Sequence, residues 1–473
     1  MRTHRILSLL LAAVLALLPG FAQGTSEQAL QEQVDALVAQ IAELQQQDPT
    51  FVYDGETYHV SDGTQYANEH LKQTDDYYPF FDKLMEASLA HSDKIAELYL
   101  QEVRLLNQLA ALWGYDNYMS YALEERYGID VDVVALTNTV VESFSKSWQP
   151  LAWLAYLATE PDNQKFLDED DFLKEAAALY GELCPDYQPL LESLINSDNL
   201  HLETTTPLLS GGSTSFRYGT FEVEIRSFDD LSFCSIALHE FGHYLHDTYE
   251  NELVVVNYPI NETHSIAGTL LLADRMEAFF RERTGDTYGA YLTLRYLLTS
   301  LNVLYSSVLN AMISIEVYTN PDAFEPRDIA RLYLESSQAL GYEAGYSPEY
   351  QMILGSQWIT STTLFQLPFY DFNYILGSIN SLSLWYEQQT GGDAVTKYNK
   401  LVQTPIPDIS YSEYCRQMGL PAVNDTDLYA ELDTFLSEKL NALEEEVFGG
   451  ELGPSPGSVL PHHLQNARMP SPG

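Results

Sequence analysis

Basic residues are scarce. The 473-residue chain has 23 Lys and Arg against 68 Asp and Glu, a formal charge of −45. Clustered Lys and Arg are what hold nucleic-acid phosphates, so the deficit argues against nucleic-acid binding. It equally opposes docking on an anionic membrane. Cysteine is nearly absent. Cys184, Cys234 and Cys415 are too few and too scattered for a disulfide framework, and their spacing is not that of a cysteine zinc site; one bridge plus one free thiol stays open. Strand signals are few. The clearest is Phe221, Val223 and Ile225 alternating with Glu222, Glu224 and Arg226. It follows the run Ser210 to Ser215, read as a flexible loop, and precedes a helix start at Asp229-Asp230. No internal repeat is visible, and beyond the first residues no segment is expected to have the length and apolarity of a membrane helix. These shortages do not mean disorder. Hydrophobic residues at 45% and aromatics at 12% supply a packed core, and the length suits two or three domain-sized units or one large two-lobed enzyme.

What is present begins with an address. Arg2, His4 and Arg5 make a basic start, Ile6 to Leu18 is apolar or small apart from Ser8, Pro19 breaks the run, and Gly20-Phe21-Ala22 offers small residues for cleavage. This is the pattern of a secretory signal peptide over residues 1–22. No cysteine follows for a lipoprotein anchor. The mature protein is expected to be secreted, periplasmic or at the cell surface, with no stable membrane insertion. Loss of the segment removes two arginines and no acid, leaving 21 basic against 68 acidic residues, or −47.

Residues 23–49 form an amphipathic helical stretch, with Leu30, Val34, Leu37, Val38, Ile41 and Leu44 at three- and four-residue steps. It suits a spacer, a short coiled coil or the first helix of the body, and Asp48-Pro49 ends it. Residues 50–448 read as one helical domain, with helical runs at 92–113, 131–160, 166–181, 264–284, 288–318 and 371–390. Residues 449–473 turn to Gly, Pro and Ser and read as a disordered tail, in which His462-His463 is a weak surface chelator at most. Oligomeric state is not readable.

The chemistry lies in Leu238-His239-Glu240-Phe241-Gly242-His243. Helical residues four apart share a face, so His239 and His243 can aim one imidazole nitrogen each at a single ion. Glu240 then lies beside a metal-bound water as general base rather than ligand. Phe233, Ile236, Ala237, Phe241 and Leu245 argue that the helix is buried, where histidines and a carboxylate without a ligand would be costly. Asp229 or Asp230 can cap its start. A catalytic zinc wants a third protein ligand. Glu262, on the next helical run, is the candidate; Glu250 and Glu252 compete from the intervening turn, and His246 reads as an outer or surface histidine.

Three stretches together resemble the thimet-oligopeptidase and oligoendopeptidase-F family of zinc peptidases. They are Asn107-Gln108-Leu109-Ala110 through Gly114-Tyr115-Asp116-Asn117-Tyr118 to Tyr127-Gly128; His239 to His246 followed by Glu262-Thr263-His264-Ser265; and Trp358 through Leu367-Pro368-Phe369-Tyr370-Asp371-Phe372-Asn373-Tyr374. The resemblance implies a mainly α, two-lobed zincin-type fold with a deep substrate channel and a small β element beside the active-site helix. It implies one zinc ion held by His239, His243 and Glu262, with Glu240 as base, Tyr370 and Tyr374 as donors to a developing oxyanion, and short peptides as substrates. The strand Phe221 to Ile225 would be the wall on which an extended peptide adds. Two positions depart from the family pattern: Thr363 stands where it usually has histidine, and Thr269 where it tends to have glutamate. The expectation is an exported zinc oligopeptidase. The alternatives are a catalytically silent peptide-binding relative and a zinc carboxypeptidase of the carboxypeptidase Taq type. The acidic surplus further predicts a bias toward basic peptides.

Overall fold

Apolar side chains at helical spacing give a mainly α chain. The computed structural model describes residues 27–71, 74, 76–152, 164–205, 210–217, 220–249, 258–341, 355–406 and 409–449. The signal-peptide segment 1–22, the end of the 131–160 run, Glu250, Glu252 and the tail from residue 450 with His462-His463 lie outside the described residues.

The helices of eight residues or more are α1 (Glu27–Gln45), α2 (Tyr77–Trp113), α3 (Val133–Ser143), α4 (Glu169–Leu183), α5 (Tyr187–Ile195), α6 (Asp230–Tyr249), α7 (Tyr258–Leu271), α8 (Ala273–Thr284), α9 (Asp286–Thr319), α10 (Pro326–Ala339), α11 (Asp371–Gln389), α12 (Ala394–Gln403), α13 (Tyr411–Met418) and α14 (Thr426–Phe448). The strands are β1 (Thr50–Tyr53), β2 (Glu56–His59), β3 (Leu200–Thr204), β4 (Gly211–Arg217) and β5 (Thr220–Ser227).

α1 packs along α2, and Leu30, Val34, Ile41 and Leu44 join the main core. Its packing is that of the first helix of the body rather than of a spacer. β1 and β2 form an antiparallel hairpin, with Thr50 opposite His59 and Tyr53 opposite Glu56. Its two-residue loop is Asp54-Gly55, both at positive φ, the pairing that hairpin twist favours. The long helical runs are interrupted. The one starting near 131 breaks after Ser143, where the buried Asp433 carboxylate accepts from Lys146 N at 3.2 Å and from Ser147 N at 2.9 Å, satisfying amides the helix has released. The 264–284 run breaks at Leu272, so that α7 packs on α6 and α11 while α8 lies along α9.

Two expectations need correction. The Gly- and Ser-rich run is not a loop: β4 pairs antiparallel with β5, Thr214 opposite Val223 and Gly212 opposite Ile225. β3 pairs parallel with the other side of β5, giving the order β3-β5-β4. β5 is therefore the middle strand, with both edges taken from Val223 onward, and is not the open wall that receives a peptide. The membrane expectation also changes. α9 is 34 residues long and apolar enough to cross a bilayer on length and composition. In this fold much of it faces the core, where Leu292, Leu294, Leu304, Val308 and Ile313 are buried. All three cysteines are free thiols.

Candidate metal centre

α6 starts where the sheet ends. Asp229 caps it by accepting from Ser232 N at 2.7 Å. Asp230 instead joins two elements. Its carboxylate accepts from Phe166 N at 2.7 Å and Leu167 N at 3.1 Å, tying the entry to α4 onto α6. Leu231, Phe233, Ala237, Leu238, Phe241 and Leu245 bury the helix. The face carrying His239 and His243 keeps some access, with side chains 25% and 17% exposed.

α7 crosses α6 at Gly242. A Cβ at that glycine would lie 2.6 Å from Ser265 Cα and 2.8 Å from His264 O, so only a residue without a side chain permits the approach. On its other side α7 meets α11 at Gly377, where a Cβ would lie 2.7 Å from Glu262 Cβ. Held between two close backbones, α7 delivers Glu262 to the histidines. His239 Nε2 and His243 Nε2 are 3.2 Å apart, and Glu262 Oε2 is 3.7 Å from each. A tetrahedral ion with bonds of about 2.0–2.1 Å sets its ligand atoms roughly 3.4 Å apart, so this triangle fits one zinc-sized ion.

The electrostatics fit the same reading. Burial pushes the His239 imidazole down to about 4 and, with the neighbouring His239 and His246 adding to it, pushes His243 well below its usual range. Both rings are neutral and able to ligate. Burial raises the Glu262 carboxyl to about 7, against hydrogen bonds from Tyr370 and Ser265 that favour its charged form. A cation among these groups would remove the penalty that burial imposes on the carboxylate.

Glu240 is buried, 3% exposed, with a carboxylate oxygen within 4.8 Å of the His239 and His243 ring nitrogens. Burial raises its carboxyl to about 8; Thr214 opposes the shift, and Glu262 and Asp247 add to it. Thr214 Oγ1 donates to Glu240 Oε2 at 2.8 Å. The two tyrosines read as oxyanion donors differ. Tyr370 OH donates to Glu262 Oε1 at 2.5 Å, on the oxygen turned away from the histidine contacts. Tyr374 packs edge-on against Tyr370, makes no hydrogen bond among the described residues, and has its phenol raised well above the usual range, first by Glu262, then by burial and Glu240.

The departing positions are both occupied elsewhere. Thr363 Oγ1 donates to the buried Asp371 carboxylate at 3.1 Å, which Asn310 Nδ2 also reaches at 3.1 Å. Thr269 Oγ1 bonds back to Ser265 O at 3.0 Å within α7. His246 is no ligand: its Nδ1 lies 3.1 Å from Val402 O and its ring stacks on His264 at 3.9 Å. Sequence reasoning missed Thr214 and Gly212. Their spacing of two is the available signal, but it becomes one only once the stretch is known to be a strand. A separate cavity of about 590 Å³, lined by Leu136, Cys415, Arg416 and Val423, contains none of these residues.

No family model matches the sequence, and no curated protein matches it. Solved structures match in fold. PZ peptidase A with an inhibitor aligns at a TM-score of 0.66 and 16% identity, over 88% of this chain and 78% of that one. Oligoendopeptidase-F from Enterococcus faecium aligns at 0.57 and 14%, over 89% and 73%. The likeness shows the fold, a mainly helical architecture; in this chain the small sheet packs beside the histidine helix.

Proposed function

We propose that the chain is an exported zinc-dependent oligopeptidase that hydrolyses peptide bonds in short peptides. One observation carries the reading: two neutral imidazoles and a carboxylate converge at 3.2, 3.7 and 3.7 Å, with a further buried carboxylate beside them. His239, His243 and Glu262 would hold the ion. When bound, zinc supplies a Lewis acid and lowers the pKa of a water to about 7. Glu240, whose charged form a bound cation would favour, would take the proton of the attacking water and pass it to the leaving amine. Tyr374, whose phenol is neutral and whose hydroxyl is uncommitted, donates to the developing oxyanion. Tyr370 orients Glu262 through its bond to Oε1.

The peptide would lie along β4. This strand is the sheet edge nearest α6, with no partner on its outer side among the described residues, and an extended chain can add there as a further strand. Peptide substrates are also what the names of the structurally similar peptidases suggest. Export rests on the pattern of residues 1–22. The catalytically silent alternative draws on Thr363 and Thr269, whose hydroxyls are bonded to Asp371 and Ser265.

The test is zinc analysis together with a fluorogenic peptide assay on wild type and Glu240→Gln. One zinc per chain, turnover by wild type and a loss of about 10³ in the variant are expected. Zinc-free protein, or equal turnover in both forms, would sink the proposal. Zinc and peptide binding without turnover would select the silent alternative, and release of single C-terminal residues would select a carboxypeptidase.

A further inference from the structure

β4 runs against α6 at the level of Glu240. Two of its residues meet that side chain. Thr214 Oγ1 donates to Oε2 at 2.8 Å and lies 3.4 Å from the Glu240 carbonyl oxygen. A Cβ built at Gly212 would fall 2.5 Å from both Cγ and Oε1 of Glu240. Positions 212 and 214 share one face of the strand, and their cross-strand partners Ile225 and Val223 are fully buried. One carboxylate oxygen is therefore bonded and the other fills the hollow left by a missing side chain.

We infer that Thr214 is a positioning residue for Glu240, with Gly212 as the hollow that receives it. The strand whose outer edge takes the peptide thereby also fixes the rotamer of the base. A base whose rotamer is locked by packing and a neighbouring hydrogen bond meets its proton in one geometry. The inference rests on the peptidase reading above, but its geometric half does not depend on turnover.

Thr214→Val removes the hydroxyl at constant shape, Thr214→Ser keeps it, and Gly212→Ala fills the hollow. In zinc-loaded, full-length protein, Thr214→Val is expected to lower kcat about 10- to 100-fold with KM within about twofold and zinc content unchanged. Thr214→Ser should restore most of the rate, and Gly212→Ala should lower kcat without touching that hydroxyl. Crystal structures of wild type and Thr214→Val should show the Glu240 carboxylate turned in the variant. Equal kcat in wild type and Thr214→Val, a loss that Thr214→Ser does not restore, or a loss confined to KM would overturn the inference. A wild type that binds zinc but turns over no peptide would overturn the peptidase reading instead. In that case the structures decide: an unmoved Glu240 in Thr214→Val rejects the positioning role, and a turned one supports it. If Thr214→Val does not fold, Gly212→Ala carries the same comparison.

Discussion

Glu262 and Glu102 are both buried carboxylates on long helices of one core, yet their surroundings differ. Glu262 on α7 has Tyr370 on one oxygen and faces two imidazole nitrogens with the other. Glu102 on α2 is fully buried with neither oxygen hydrogen-bonded among the described residues, and the neighbouring Tyr318 hydroxyl is also without a partner there. Burial alone pushes the Glu102 carboxyl well above its ordinary value. The two sites face the same desolvation penalty. One has donors arranged around a common point, where a cation can sit; the other has none, and burial favours its neutral form. Burial of an acid does not make a metal site; convergence of ligands on the charged side and an orienting donor on the other does.

The largest test of this contrast exchanges the two acids separately for glutamine. Glu262→Gln should lose zinc and cut kcat/KM by well over the 10- to 100-fold typical of an outer partner, whereas Glu102→Gln should leave both within about twofold. Similar losses in the two variants, read by metal analysis and peptide turnover, would erase the distinction.

The tyrosines sharpen it. Tyr374→Phe should lower kcat by about 10² with zinc retained, as expected for a lost oxyanion donor. Tyr370→Phe should instead weaken zinc affinity about tenfold, measured by competition with a chelator. The reverse pattern would reassign the two roles.

The pH dependence of stability separates the sites next. Glu102 has a folded pKa above its unfolded one, so the unfolded chain releases this proton first as pH rises. The stability its neutral form gives is present in full below the ordinary carboxyl range and falls as pH climbs toward the folded pKa. Relative to Glu102→Gln, wild type should lose about 1.4 kcal/mol per pH unit across that window. Parallel pH profiles in denaturant melts would show that burial does not shift the Glu102 carboxyl after all.

The smallest effect concerns the surface. If the acidic surplus attracts cationic substrates, kcat/KM for Lys- and Arg-rich peptides should fall severalfold between about 0.05 and 0.5 M salt, with neutral peptides little changed. A flat response for both would remove charge from the account of specificity.

Much of the arrangement is legible in the sequence because it is local. A spacing of four on a helix forces His239 and His243 together, and Glu262 follows on the next helix. The Asp54-Gly55 pair is a hairpin signal of the same local kind, though it went unread in the sequence. What escapes reading is set at a distance. β4 consists largely of Gly, Ser and Thr, and Gly is depleted in strands; it becomes a strand because β5 pairs with it. The bond from Tyr370 to Glu262 joins residues 108 apart, and the seat of Glu240 in Gly212 exists only once that sheet lies on α6. The breaks at Ser143 and Leu272 likewise answer to neighbours, Asp433 in the first case and the separate partners of α7 and α8 in the second.

The clamping of α7 between Gly242 and Gly377 bears on how the ion comes and goes. A helix gripped on both sides by near-contact backbones has little freedom to swing Glu262 in or out, so the ligand triangle is a standing feature of the folded chain. On the proposed reading, an ion would enter and leave by the partly exposed imidazole side, without any refolding step. On that reading, different divalent ions would meet the same rigid seat, each selected by its bond lengths and availability.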